Sequence, residues 1–190
     1  MQINILWAGL EYNSLENCLV KLTHEGTHIN STIVGEYESK IYTVVYRLIT
    51  NENWETICMD IEWQHSNKKE SQKFESDGTG NWIVNGKAAS QFKDCIDVDL
   101  SLSPFTNSLP INRLKLGTGE SCQISVIYFD LLRDEIGPAH QNYTKLSSRK
   151  FKYENLPNDF EAEVSVDDSG LVVDYPKLFV RRAALQIRYD

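Results

Sequence analysis

The strongest constraint in this sequence is an alternation of period two that recurs from end to end, with no competing helical period. Residues 40–50 are the clearest case. Tyr42, Val44, Tyr46 and Leu48 share one face, and Ile41, Val45 and Ile49 share the other, with Arg47 as the exception. Residues 2–8 alternate Ile3, Ile5 and Trp7 against Gln2, Asn4 and Leu6. Residues 56–65 set Ile57, Met59, Ile61 and Trp63 against Cys58, Asp60, Glu62 and Gln64. Further strands are predicted over 18–24, 27–36, 81–84, 123–131, 141–146, 150–154, 160–166 (Phe160 inward), 171–175 and 178–184. Short turns such as Glu25-Gly26, Asn85-Gly86 and Asp167-Asp168-Ser169-Gly170 separate them. Residues 66–76 are polar and read as an exposed hairpin arm, and 88–93 fit a single helical turn. About a dozen strands at ~8–12-residue spacing predict an all-β protein.

The stretch 95–116 stands apart. Ile96, Val98, Leu100 and Leu102 alternate with Asp97, Asp99, Ser101 and Ser103, giving one apolar face and one acidic or hydroxylic face. Pro104 ends that strand, because it cannot donate to a ladder. Phe105-Thr106-Asn107-Ser108 and a second proline, Pro110, follow before Ile111-Asn112-Arg113. A β-meander lies on either side of this stretch, so it reads as the join between two halves of one domain spanning 1–190.

Charge and composition exclude several functions. The 190 residues carry 19 Lys and Arg against 27 Asp and Glu, a net charge of −8. That balance opposes a nucleic-acid backbone or an anionic lipid surface as partner. A hydrophobic fraction of 41% supports a true core. No run approaches the ~20 apolar residues of a membrane span, and residues 1–7 lack the basic and apolar regions of a signal peptide. A cytoplasmic location is therefore expected. Cys18, Cys58, Cys95 and Cys122 are widely spaced and read as free thiols. His24 and His28 flank a hairpin turn, so no metal site is expected. Gly117-Thr118-Gly119 lacks the helix and lysine of a phosphate loop, and no cofactor motif occurs.

The chemistry-bearing candidates are carboxylates, cations and rings. Asp97 and Asp99 project from one face about 7 Å apart, from a rise of ~3.3 Å per residue. In a cavity, one of such a pair is pushed toward the protonated form and serves as acid or base; facing water, both are ordinary polar surface. Arg47 and Arg113 are candidate counter-ions. Trp7, Tyr46, Trp63 and Tyr128 would stack on a sugar face or an acyl chain, or simply fill a core.

The segments W-A-G-L-E (7–11), C-I-D-V-D-L-S-L-S-P-F-T-N-S-L-P-I (95–111) and D-Y-P (174–176) together resemble the family described as Putative glycolipid-binding, over about residues 6–179. The resemblance implies a large, curved antiparallel sheet forming a half-open or spiral β-barrel with a cavity, similar to periplasmic lipoprotein carriers. It also implies a bacterial source. Members usually carry a histidine where Tyr12 stands, so no imidazole acts at that turn here. A relative by fold in violacein biosynthesis is a cofactor-free enzyme. The expected function is therefore non-enzymatic binding of a lipid, glycolipid or other amphipathic molecule. Trp7, Glu11, Tyr46, Arg47, Trp63, Asp97, Asp99, Asn107, Arg113 and Tyr128 are the candidate ligand contacts. The alternative is a cofactor-free enzyme with a cavity carboxylate (Asp97, Asp99 or Glu11) as general acid or base.

Overall fold

The computed structural model describes residues 1–157 and 159–187. Among them, fifteen strands form one sheet. The first half runs β1 (Gln2–Gly9), β2 (Ser14–Leu22), β3 (Thr27–Tyr37), β4 (Lys40–Thr50), β5 (Thr56–His65), β6 (Lys68–Ser76), β7 (Trp82–Val84) and β8 (Lys87–Ala88). The second begins with β9 (Asp97–Leu100), a 3₁₀ turn at Pro104–Asn107 and the short helix α1 (Ser108–Arg113). It continues with β10 (Ser121–Asp130), β11 (Glu135–Ser147), β12 (Lys150–Leu156), β13 (Glu161–Val166), β14 (Val172–Tyr175) and β15 (Phe179–Ile187). The spatial order is β8-β7-β6-β5-β4-β3-β2-β1-β15-β14-β13-β12-β11-β10-β9. The first and last strands of the chain meet mid-sheet, and β8 and β9 are its two edges.

Local chemistry accounts for the meander. Neighbours are antiparallel and joined by tight turns whose central residues adopt left-handed backbone, such as Ser66-Asn67 (φ 48° and 65°) and Asn85-Gly86 (φ 48° and 78°). The exception is β9, which pairs parallel with β10. Parallel neighbours need a long crossover, and the prolines and α1 lie within that connection.

The same topology forces curvature. Laid flat, fifteen strands at ~4.8 Å separation would place the two edges about 67 Å apart. The eight residues between β8 and β9 reach at most about 30 Å. The sheet therefore curls until its edges approach, and side chains, not a hydrogen-bonded ladder, hold them. Phe74 of β6 and Phe129 of β10 meet edge-to-face at 5.0 Å. Asp134, in the β10–β11 turn, contacts His65 at 3.3 Å and Lys68 at 3.1 Å. The connector hugs β7: Trp82 Nε1 donates to Cys95 O at 2.7 Å and Asp94 N to Gly80 O at 3.0 Å. The half-open, spiral barrel expected from the resemblance is thus present as an unclosed curl.

Buried side chains fall into two clusters. One joins β1–β7 to Val98, Leu100, Leu102, Phe105, Leu109, Ile127 and Phe129. The other joins Ile111, Ile124 and Val126 to Tyr143, Tyr153, Val164, Tyr175 and Phe179. The β9–β10 register pairs Asp97 with Val126, Val98 with Ile127, Asp99 with Tyr128 and Leu100 with Phe129. Alternation then gives this ribbon an apolar face toward the first cluster and a face bearing Asp97, Asp99 and Tyr128 toward the second.

Two sequence expectations need correction. Residues 68–76 are no exposed arm: β6 pairs along its length with β5, and Phe74 is fully buried. One aromatic at an inward position anchors an otherwise polar strand. Phe160 lies outside β13, and it is 37% exposed instead of inward. A third element is longer than its sequence pattern. β11 runs from Glu135 through Gly137-Pro138. Its far side has no β12 partner until His140, so Pro138 sits where no ladder donor is needed.

Candidate functional site

A cleft of about 410 Å³ opens on the concave side of the second half. The β1–β2 turn contributes Glu11 and Tyr12, the end of β9 contributes Asp99, and the following turn Ser101, Ser103 and Asn107. Strands β10 to β12 add Tyr128, Asp130, Gln141 and Tyr153, and Phe160, Tyr175 and Phe179 complete the wall.

Asp99 is the floor. It is 8% exposed, takes a hydrogen bond from Gln141 Nε2 at 2.5 Å on one oxygen and from Thr106 Oγ1 at 3.1 Å on the other. Burial pushes its carboxyl up from the ordinary range, against those two bonds, and the charge of Asp97 adds to the rise. Tyr128, Tyr143, Tyr153 and Tyr175 surround it. Burial raises all four phenols, and the charge of Asp99 is the next largest cause in each. They therefore remain protonated, as hydrogen-bond donors. Tyr143 accepts from Asn107 Nδ2 at 2.9 Å. Tyr153 and Tyr175 are 6% and 4% exposed and line the cleft, and their hydroxyls have no hydrogen-bond partner among the described residues. Two buried side chains thus aim unpaired donors into the cleft.

Asp97, two residues away on the same face, has a different role. It is fully buried and holds Arg113 in a fork, Nε at 3.1 Å to one oxygen and Nη2 at 2.6 Å to the other. Burial raises its carboxyl, opposed by Arg113. Neither residue lines the cleft. Arg113 ends α1, so this pair clamps the crossover to β9.

The remaining candidates scatter. Glu11, Asn107 and Tyr128 join Asp99 in the cleft. Trp7 lies in the first cluster, its Nε1 donating to Val172 O at 3.0 Å and its ring under the Arg181 guanidinium at 5.7 Å. Trp63 also lies there, and its Nε1 reaches Asp134 at 3.5 Å. Arg47 is exposed on the outer face beside Asp60, away from both aspartates. It cannot be their counter-ion, because strand parity puts it opposite buried Tyr46 and Leu48.

Tyr46 leads to a group that the sequence did not disclose. Its hydroxyl donates to Glu16 Oε1 at 2.8 Å. Ser31 and Ser103 donate to the same oxygen at 2.7 Å and 2.8 Å. Glu16 Oε2 is buried without a partner, and burial raises this carboxyl to about 7 against those three bonds. Ser103 connects the cluster to the cleft wall. The strand was expected to begin at Cys18; it begins at Ser14, and Leu15 and Leu19, which mimic the apolar face, point outward. Gln141, Tyr153 and Tyr175 were likewise not singled out, since nothing local distinguishes a cleft-facing tyrosine from a core one.

The four cysteines are free. Among the described residues no three His, Cys, Asp or Glu side chains group as a metal site, and no helix is long and apolar enough to cross a membrane.

Comparison with known proteins agrees with this architecture. A crystal structure of a DUF1089 family protein from Pseudomonas aeruginosa is similar at 32% identity, with a TM-score of 0.80, over 89% of this chain and 92% of that one. None of the curated proteins matches. The family model described as Putative glycolipid-binding matches residues 4–181. Nearly the whole chain is covered, and the chain belongs to that family.

Proposed function

We propose that the protein binds the polar head of a glycolipid or similar amphipathic molecule in the second-half cleft. The observation that carries this reading is the pair of unpaired, protonated phenols, Tyr153 and Tyr175, beside the buried acceptor Asp99. Donors and acceptors within one aromatic-walled site suit a ligand rich in hydroxyls, which both gives and takes hydrogen bonds and stacks its C–H face on rings. The family description supports the same class. A volume of about 410 Å³, at the small end of the ~300–1,000 Å³ typical of ligand sites, suits a head group. The concave face of the first half is packed by Leu100, Leu102, Phe105 and Leu109, and the depression of about 520 Å³ on that half is an open one beside Leu19, Val45 and Arg47. Native mass spectrometry of protein purified from cells should show a co-purifying glycolipid that the double variant Tyr153→Phe/Tyr175→Phe loses. Retention of the same species by that variant would place the site elsewhere.

One observation favours a catalytic reading as the alternative. Asp99 is a buried carboxyl with a raised proton affinity that faces a cleft, the condition for a general acid or base. The fork to Arg113 and its place outside the cleft favour Asp99 over Asp97 for that role. Turnover of a bound ligand that stops in Asp99→Asn would favour this alternative, and unchanged ligand recovered after long incubation would dismiss it.

A further inference from the structure

Strand β9 places two buried carboxylates on one face and treats them unequally. Asp97 receives a guanidinium from within the chain. Asp99 receives a neutral amide and a neutral hydroxyl, and no cation of the described residues reaches it. A buried carboxylate without a cation is costly, and the surroundings deepen the imbalance. Glu11, Asp130, Glu135 and Asp159 also line the cleft. Against them stand His140 and Arg133. Arg133 is drawn to Asp130 at 3.6 Å, and His140 Nδ1 is bonded to Ser125 at 3.2 Å.

The rings point the same way. Tyr153, Phe160 and Tyr175 form a triangle with centroids 6.0–6.3 Å apart. Phe179 extends it from Tyr175 at 6.1 Å, and Tyr12 follows at 6.0 Å. The faces of such rings carry negative potential and attract cations. Burial keeps the phenols neutral, so they add no anionic charge of their own. A phosphate or sulfate head would meet carboxylates and ring faces with one paired arginine and one hydrogen-bonded histidine to answer it. A neutral sugar would satisfy the phenols and leave Asp99 without a countercharge.

We propose that the head group taken by this cleft carries a positively charged nitrogen, as an amino sugar does, and that the nitrogen pairs with Asp99 against the aromatic wall. This rests on the cleft being the binding site. The ligand supplies to Asp99 what Arg113 supplies to Asp97.

The test compares methyl 2-amino-2-deoxy-β-D-glucoside with methyl β-D-glucoside in NMR titrations of the whole chain at about pH 6.5, where the amine is charged. The amino sugar should bind at least about tenfold tighter, an advantage that shrinks with added salt. Asp99→Asn should reduce it to within about threefold. Glu135→Gln, an exposed change on the rim that leaves the fold intact, should reduce it by about twofold. Equal binding of the two sugars, or a full advantage retained in Asp99→Asn, would overturn the cation pairing and leave sugar binding standing. No shift of cleft resonances with either sugar would remove the binding reading and the pairing together.

Discussion

The β9–β10 ribbon separates two compartments, and its eight paired residues divide between them, four to each side. On one side Val98, Leu100, Ile127 and Phe129 close a dry core against Phe74 and the strands of the first half. On the other, Asp97, Asp99 and Tyr128 face the second half, which is rich in tyrosine and open to a cleft. The first half packs against residues drawn from 89–109, which span the β8–β9 connector, β9 and the start of the crossover. The second half keeps a cleft open on its side of the ribbon. One curled sheet thus supplies a scaffold and a site.

If this division is right, truncation on the dry side should cost stability with the cleft's shape retained. Phe129→Ala should lose about 3–5 kcal/mol, a fall in Tm of about 10 °C for a domain of this size, read by calorimetry. A cost below about 1 kcal/mol would mean that the sheet's edges are held by something other than this contact.

The acidic pair sharpens the comparison. Arg113→Ala strands Asp97, which is fully buried, and should cost about 3–5 kcal/mol. Asp99→Asn keeps an acceptor for Thr106 and an amide-to-amide contact with Gln141, and should cost about 1 kcal/mol. Chemical denaturation of the two variants should show that order, and similar losses would erase the distinction between clamp and site.

Glu16 lies behind the ribbon, where pH enters. Its folded value of about 7 exceeds the ordinary 4.5. Between those values the folded chain holds a proton that the unfolded chain has released. Stability therefore falls as pH rises through that window and stays lower above it. Burial raises Asp97 and Asp99 as well, with the same sign. Glu16→Gln should remove on the order of 3 kcal/mol of this pH dependence. Denaturation at a series of pH values would check it, and parallel curves for the variant and the parent would refute it.

The smallest effect belongs to the cleft. The Tyr175 hydroxyl has no hydrogen-bond partner among the described residues, so Tyr175→Phe should change stability by less than about 0.5 kcal/mol while weakening ligand retention. A large loss of stability would show that the hydroxyl serves the fold.

Part of the site was legible locally. Alternation exposed the two faces of 97–103, and with them Asp97, Asp99 and the pairing role of Arg113. Tyr128, a candidate as an aromatic on a strand, and Asn107, from the segment after Pro104, also line the cleft. Arg47 misled because Ile41 and Val45, exposed at 77% and 43%, made an outer face look like an inner one. Glu16 was missed because the strand was expected to begin at Cys18 and begins at Ser14, so Glu16 lay ahead of the predicted strand. Exposed aliphatic residues on strands imitate a core, and period two alone does not say which face is inside.

Sequence by itself determined the meander, its turns and the two-faced ribbon, since these depend on neighbours one or two residues apart. Tertiary structure decided which of two equivalent aspartates is clamped and which is left facing a cleft. That choice depends on α1 folding back to bring Arg113 to Asp97, and on the curl that brings Gln141, Tyr153 and Tyr175 around Asp99. Those contacts span 16 residues for the first and as many as 42 for the hydrogen bond of the second. Only the curl of the sheet and the fold-back of α1, not any local pattern, bring them within reach.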